Sequence, residues 1–108
     1  PVLIPGDMER YSFVAVGTIH GMDRTFGSTC HGAGRKQSRT QARRLLKGID
    51  ISRRLADNGI AVRSRNKDRL SEEAPEAYKD VANVVDVAER AGISRKVLRT
   101  KPIGVIKG

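Results

Sequence analysis

Ser28-Thr29-Cys30-His31-Gly32-Ala33-Gly34-Arg35 divides this chain into two unlike parts. Before it, Val2-Leu3-Ile4 runs into the turn signal Pro5-Gly6-Asp7, and Ser12-Phe13-Val14-Ala15-Val16 is a second β-prone run. Beyond it, from Ser38, apolar residues recur at helical spacing. Residues 1–17 therefore read as strands, Thr18 to Arg24 as a loop, and Thr25 to Cys30 as a short strand entering the His31 turn. Ser38 is the expected N-cap of a first helix through Ala42, Leu45 and Leu46, stopped by Gly48. Asp50 or Ser52 caps a second helix, closed by Asn58-Gly59, and Ile60-Ala61-Val62 follows as a strand. Arg63 to Lys79 reads as irregular or partly helical surface. Asp80 caps a third helix whose stripe is Val81, Val84, Val85, Ala88 and Ala91, ended by Gly92. Val97-Leu98 and Ile103-Gly104-Val105-Ile106 are β-prone around Pro102. The class is α+β, with mixed short strands, about three helices and no regular βαβ alternation.

At 108 residues the chain amounts to one domain or a piece of one. Only four side chains are aromatic (Tyr11, Phe13, Phe26 and Tyr78), so aliphatic packing must dominate. No apolar run approaches a membrane span, and no signal peptide is expected. The first residue is proline, so a natural N-terminus is expected to be missing. One cysteine excludes an internal disulfide and fits a reducing cytoplasm.

Lys and Arg number 21 against 12 Asp and Glu, a net charge of +9 that points to a polyanionic partner, nucleic acid first. Lys36, Arg39, Arg43 and Lys47 fall on or beside one helix face, and Arg63, Arg65, Lys67 and Arg69 form a second cluster. A like-charged stripe weakens an isolated helix, which favours an anionic ligand as the reason it is kept. Neither cluster contains aromatic residues, so contact with a phosphate backbone is better supported than base reading.

The dividing string contains the residue types of three chemistries. A transition-metal site needs three or four ligands, and Cys30, His31 and distant His20 do not supply them, so no metal is expected within this chain. Cys30 as a nucleophile needs a positioned base that nothing in the sequence provides; a small buried apolar group is the simpler reading. His31 stands beside glycines that let backbone N–H groups form an anion nest. On the residues alone it is either a turn histidine with a satisfied hydrogen bond or a nucleophile or phosphate ligand.

The string, with Ser38-Arg39 just beyond, resembles the signature of the RtcB family of RNA-splicing ligases. Pro1-Val2-Leu3-Ile4-Pro5-Gly6, Glu72-Glu73-Ala74-Pro75-Glu76-Ala77-Tyr78-Lys79-Asp80-Val81 and Gly104-Val105-Ile106-Lys107-Gly108 are similar to further family segments in the same order. The resemblance implies that residues 1–108 are the C-terminal portion of a larger single-domain ligase fold. It implies GTP- and manganese-dependent joining of RNA 2′,3′-cyclic-phosphate or 3′-phosphate ends to 5′-hydroxyl ends. His31 would carry GMP as a phosphoramidate, and Ser12, Ala33, Gly34, Arg35, Tyr78 and Lys107 would bind the nucleotide. Lys36, Arg39 and Arg43 are the candidate RNA contacts. Implied partners are RNA, the N-terminal remainder of the ligase with most of the Mn2+ ligands, and a protein assisting guanylylation. Without those ligands this portion is expected to be inactive alone.

Two positions depart from the family pattern, Asp7 and Glu9, where serine and glycine are usual. A carboxylate beside a nucleotide phosphate is repulsive unless compensated, and Arg10 is the candidate partner. The departures keep a second reading in view, a non-catalytic basic RNA-binding module on the same fold.

Overall fold

The computed structural model describes residues 1–108. In chain order the elements are β1 (Val2–Ile4), β2 (Ser12–Gly17), α1 (Ile19–Thr25), α2 (Arg39–Leu45), α3 (Ile51–Asp57) and β3 (Ala61–Ser64). Two 3₁₀ segments follow, Lys67–Glu73 and Pro75–Ala77, then α4 (Val81–Arg90), β4 (Ser94–Thr100) and β5 (Gly104–Lys107). The α+β class stands as read.

Strand order in the first sheet is β1-β2-β4, all antiparallel, with an irregularity between Val14 and Ala15. The second sheet is the parallel pair β3-β5, in which Ser64 lies opposite Lys107. Apolar packing follows the same division. Ile4, Ala15, Ala33, Val81 and Val85 join α4 to the first sheet, with Cys30 and Tyr78 half-buried against them. Leu46, Ile51, Leu55, Ile60, Leu70 and Ala74 form a separate cluster under α2, α3 and β3. The radius of gyration is 15.5 Å, against about 13 Å for a compact chain of this length. The molecule is thus two packed bodies side by side.

Local chemistry explains the helix starts. Ser38 and Gln41 form a reciprocal capping box on α2: the Gln41 N–H donates to Ser38 Oγ, and the Ser38 N–H to Gln41 Oε1. Asp50, not Ser52, caps α3 by accepting from the Arg53 N–H. Asp80 caps α4 by accepting from Ala82 N–H and from the Tyr11 hydroxyl, and those bonds hold its carboxyl below the usual range.

Two expectations are corrected. The stretch from Thr18 to Arg24, read as loop, is mostly helix: Thr18 Oγ1 accepts from the Gly21 N–H and starts α1, a fourth α-helix. Thr25 to Cys30 is not a strand, because Phe26 and Gly27 both adopt positive φ (54° and 74°) and turn the chain sharply.

Gly6 lies in the turn after β1, tight against Tyr11 and Val81. A Cβ there would stand 2.0 Å from the Tyr11 carbonyl oxygen and 2.8 Å from Val81 Cγ1. The carbonyl belongs to backbone and cannot swing away, so the β1–β2 turn would have to move. Gly6→Ala is expected to destabilise the protein by about 1–3 kcal/mol, measured as a shift in the urea unfolding midpoint at unchanged slope.

Candidate active site

Three segments meet at the seam between the two bodies: the turn after β1, the loop His31–Arg35, and the stretch Glu73–Tyr78. Main-chain bonds stitch them. The Ala33 N–H donates to Pro5 O at 3.0 Å, Lys79 N–H to Gly34 O at 2.9 Å, and Lys36 N–H to Ala77 O at 2.9 Å. Arg35 and Tyr78 pair as an isolated antiparallel bridge. The open cleft between them, about 390 Å³, is walled by Pro5–Met8, His31–Arg35, Glu73 and Tyr78, a size suited to a small ligand.

His31 is exposed on this wall, and its imidazole makes no hydrogen bond. It does not hold the turn, as a turn histidine would. The neighbouring backbone is partly free to bind an anion. Ala33 is buried and its N–H is already taken by Pro5, but the Gly34 and Arg35 N–H groups have no intramolecular partner. Gly34 sits at φ 75°, the left-handed turn that allows such groups to point one way and that disfavours any side chain.

Arg35 is differently placed from the free phosphate-holding charge suggested by its neighbours. Its Nε donates to Gln37 O at 3.1 Å, Nη2 to Glu72 O at 2.5 Å, and Nη1 to the Tyr78 hydroxyl at 2.8 Å. Its guanidinium carbon lies 4.7 Å from the Tyr78 ring centroid. The side chain is committed to the protein, so the group Arg35 leaves free is its main-chain N–H.

Glu73, given no role in the sequence reading, joins the site residues. Its Oε1 accepts from Lys107 Nζ at 3.1 Å, and its Oε2 accepts from the Tyr78 hydroxyl and from Arg35 Nη1, 3.4 Å away. Burial pushes this carboxyl up, but the bonds from Tyr78 and Lys107 and the charges of Lys107 and Arg35 outweigh it and hold Glu73 below the usual range. Burial and the same carboxylate push the Tyr78 hydroxyl up. Ser12 acts from behind the wall, its Oγ accepting from the Gly6 N–H at 3.1 Å.

Both departures from the family pattern are neutralised. Asp7 has a fully shielded side chain that accepts from the Glu9 N–H (3.0 Å), the Arg10 N–H (2.8 Å) and Arg10 Nε (2.5 Å). Arg10, the expected partner, also donates to Pro75 O and Lys79 O at 3.4 and 3.2 Å, crossing to the Tyr78 segment. Glu9 pairs with Arg54 at 2.9 Å.

The basic stripe is less bare than a count along the chain implies. Arg39 and Arg43 share a face of α2, but both approach Glu72, at 3.8 and 3.6 Å, and Arg39 also approaches Glu73. Their side chains stay 66% and 51% exposed, so the pairing is loose and leaves them open to a larger anion. Lys36 is exposed with no ion pair. The fold gathers no three of His, Cys, Asp and Glu into a group that could hold a metal ion, and no helix is long and apolar enough to cross a membrane.

This sequence matches the family model described as tRNA-splicing ligase RtcB over residues 1–108. The chain belongs to the RtcB family. Among curated relatives, the tRNA-splicing ligase RtcB of Methanocaldococcus jannaschii is 56% identical over all 108 residues, and that of Archaeoglobus fulgidus 54%. The RtcB of Methanopyrus kandleri is 52% identical over the same span. The chain covers 11%, 22% and 11% of those three proteins, so it corresponds to a small part of each.

The Glu73 carboxylate makes the site sensitive to acid. Its folded value lies below its unfolded value of about 4.3, so its stabilising contribution is complete above that pH and is lost as pH falls through the lower folded value. Glu73→Gln should therefore flatten the acid limb of the stability curve below about pH 4.3, read by circular dichroism during acid titration.

Proposed function

We propose that this chain is the nucleotide-accepting part of a GTP-dependent RNA ligase, with His31 as the residue that becomes guanylylated. The observation that carries the reading is His31 itself. Its imidazole is exposed and unpaired on a cavity wall, one turn from the free N–H groups of Gly34 and Arg35. A neutral imidazole nitrogen attacks phosphorus readily near neutral pH. In the step proposed, His31 bonds to the α-phosphorus of GTP while the bond to pyrophosphate breaks. The Gly34 and Arg35 N–H groups face the charge that develops on the phosphoryl oxygens. Ser12 keeps the Gly6 turn in place, and Tyr78 and Lys107 contact the guanine end. GMP then passes from His31 to an RNA 3′-phosphate, derived where necessary from a 2′,3′-cyclic phosphate, and an RNA 5′-hydroxyl displaces it to form the new phosphodiester.

Manganese would supply positive charge to the transferring phosphoryl group. The residues of this chain do not form a site for it, so its ligands are assigned mainly to the N-terminal remainder, without which this portion is expected to be inactive. RNA is the proposed partner of the Lys36, Arg39 and Arg43 face. A protein that assists guanylylation is a further proposed partner. A single half-buried cysteine suits the reducing cytoplasm in which this reaction is placed. The rival reading, a non-catalytic RNA-binding module, rests on the basic stripes, with Asp7 and Glu9 slightly in its favour. Both carboxylates are paired inside the protein and leave the cavity free of unbalanced negative charge.

Incubation of the full-length protein with manganese and α-labelled GTP should place an acid-labile label on the wild type and none on His31→Ala. Label surviving in that variant would remove His31 from its role. Charge reversal at Arg39 and Arg43 together should weaken RNA binding and lower the slope of log affinity against log salt by about 1.4–1.8, measured by filter binding across a salt series.

A further inference from the structure

We infer that the far face of the strip Ala33–Gln37 is a second phosphate-binding surface for RNA. It is an open groove in which Lys36 and Lys79 take the backbone of a strand that has crossed the Arg39–Arg43 face of α2. The inference rests on the reading that RNA is the partner of that α2 face, and it carries the path beyond it.

The two faces of the strip follow from one bridge. Arg35 and Tyr78 pair antiparallel, flanked by bonds from the Lys36 N–H to Ala77 O and from the Lys79 N–H to Gly34 O. Side chains alternate across such a ladder, so Arg35 and Tyr78 share one face and Lys36 and Lys79 the other. The hollows on either side agree. Arg35 and Tyr78 wall the His31 cleft. Lys36 and Lys79 line a separate groove of about 590 Å³, shared with Arg10, Asp80 and the outer side of α4 at Asn83 and Val87.

The free charge in the groove belongs to the lysines. Arg10 is committed to Asp7, Pro75 O and Lys79 O. Asp80 accepts from the Ala82 N–H and the Tyr11 hydroxyl, with Arg10 Nη1 3.8 Å away. Lys36 and Lys79 are exposed, and neither ammonium has a hydrogen-bond or ion-pair partner. The Lys79 main chain is nonetheless fixed on both sides, its N–H by Gly34 O and its carbonyl by Arg10. Diagonal neighbours across a bridge stand about 7–8 Å apart, and like charges at that range repel unless an anion lies between them. A lysine meets a phosphate as a point charge. The groove offers no aromatic ring on which a base could stack, so it suits the backbone and not the base. Lys36 stands two residues before the Ser38 cap of α2 and belongs to both surfaces. Arg43, Arg39, Lys36 and Lys79 thus make one run of positive charge round the strip.

The test uses the full-length protein and a single-stranded RNA ending in a 3′-phosphate, bound without GTP and measured by filter binding across a salt series. Lys79→Gln should weaken binding and lower the slope of log affinity against log salt by about 0.7, and the double change with Lys36→Gln by about 1.4. Adenine-rich and uracil-rich strands should lose alike, because phosphate contacts carry no sequence information. Lys101→Gln removes the same charge at an exposed position outside the groove and should lower the slope far less. Lysine acetylation read by mass spectrometry needs no variant and decides the matter if Lys79→Gln does not fold. RNA should protect Lys36 and Lys79 and leave Lys101 reactive.

A wild-type slope in Lys79→Gln overturns the inference, as does an equal fall in Lys101→Gln. A Lys79 ammonium that stays reactive under saturating RNA does the same. If Lys79 is unreactive before RNA is added, the groove is covered by the remainder of the ligase and the inference is wrong. Binding that falls on charge reversal at Arg39 and Arg43 but not in Lys79→Gln leaves the RNA reading standing and removes the groove. A wild-type protein that binds no RNA removes that reading, and the inference with it, whatever the labelling of His31 shows.

Discussion

Five residues of main chain, Ala33–Gln37, are gripped along both edges, and the arrangement of everything else at the seam follows from that grip. On one side Ala33 sinks into the first apolar cluster and donates to Pro5 O; on the other, Gly34 O and Lys36 N–H bond to Lys79 and Ala77. A strip held this way cannot rotate freely, so what remains unbonded along it is fixed in direction. Those unbonded groups are the N–H of Gly34 and Arg35, with the His31 imidazole at the strip's entrance. The β1–β2 turn adds a second tie. Met8 packs against the far cluster and Glu9 pairs with Arg54, which in turn holds Glu76 through two bonds of 2.8 and 3.1 Å. Here the packing of two separate cores determines the geometry of one cavity wall.

Local signals in the sequence carried most of the elements. The β-prone run Ser12-Phe13-Val14-Ala15-Val16 announced β2, and Ser38 and Asp80 announced helix starts that the structure retains. Helix α1 was hidden because its interior holds Gly21, a poor helix residue. The reason for glycine there is long-range: a Cβ would lie 2.4 Å from the Ile93 carbonyl oxygen at the approach to β4. No property of residues 18–25 reveals that neighbour. The apparent strand at Thr25–Cys30 failed for a related reason, since Phe26 takes a left-handed conformation that its own preference opposes. The division into two clusters is likewise invisible in composition, because both are built from the same aliphatic residues.

The site was legible where chemistry is contiguous and illegible where it is assembled. His31, Gly34 and Arg35 lie in one string and could be singled out together. Glu73 was visible only as one letter in a similar segment, because its donors stand at positions 35, 78 and 107. Arg10 was suspected as a partner of Asp7 from their spacing, but its reach to Pro75 and Lys79 depends on folding. The same limit affected the count of charges. Along the chain, Asp50 is the acid set among the basic residues; in space, Glu72 and Glu73 face Arg39 and Arg43.

The side-by-side bodies have a mechanical consequence. With the strip Ala33–Gln37 lying across their junction, a relative tilt of the two clusters would change the mouth of the cavity before it disturbed either interior. Pressure, crowding or a ligand bridging the junction would therefore act on the His31 loop first. The amide protons of Ala33, Lys36 and Lys79, which lock the strip, are natural gauges of that breathing motion, and solvent exchange at those three positions reads how often the seam opens.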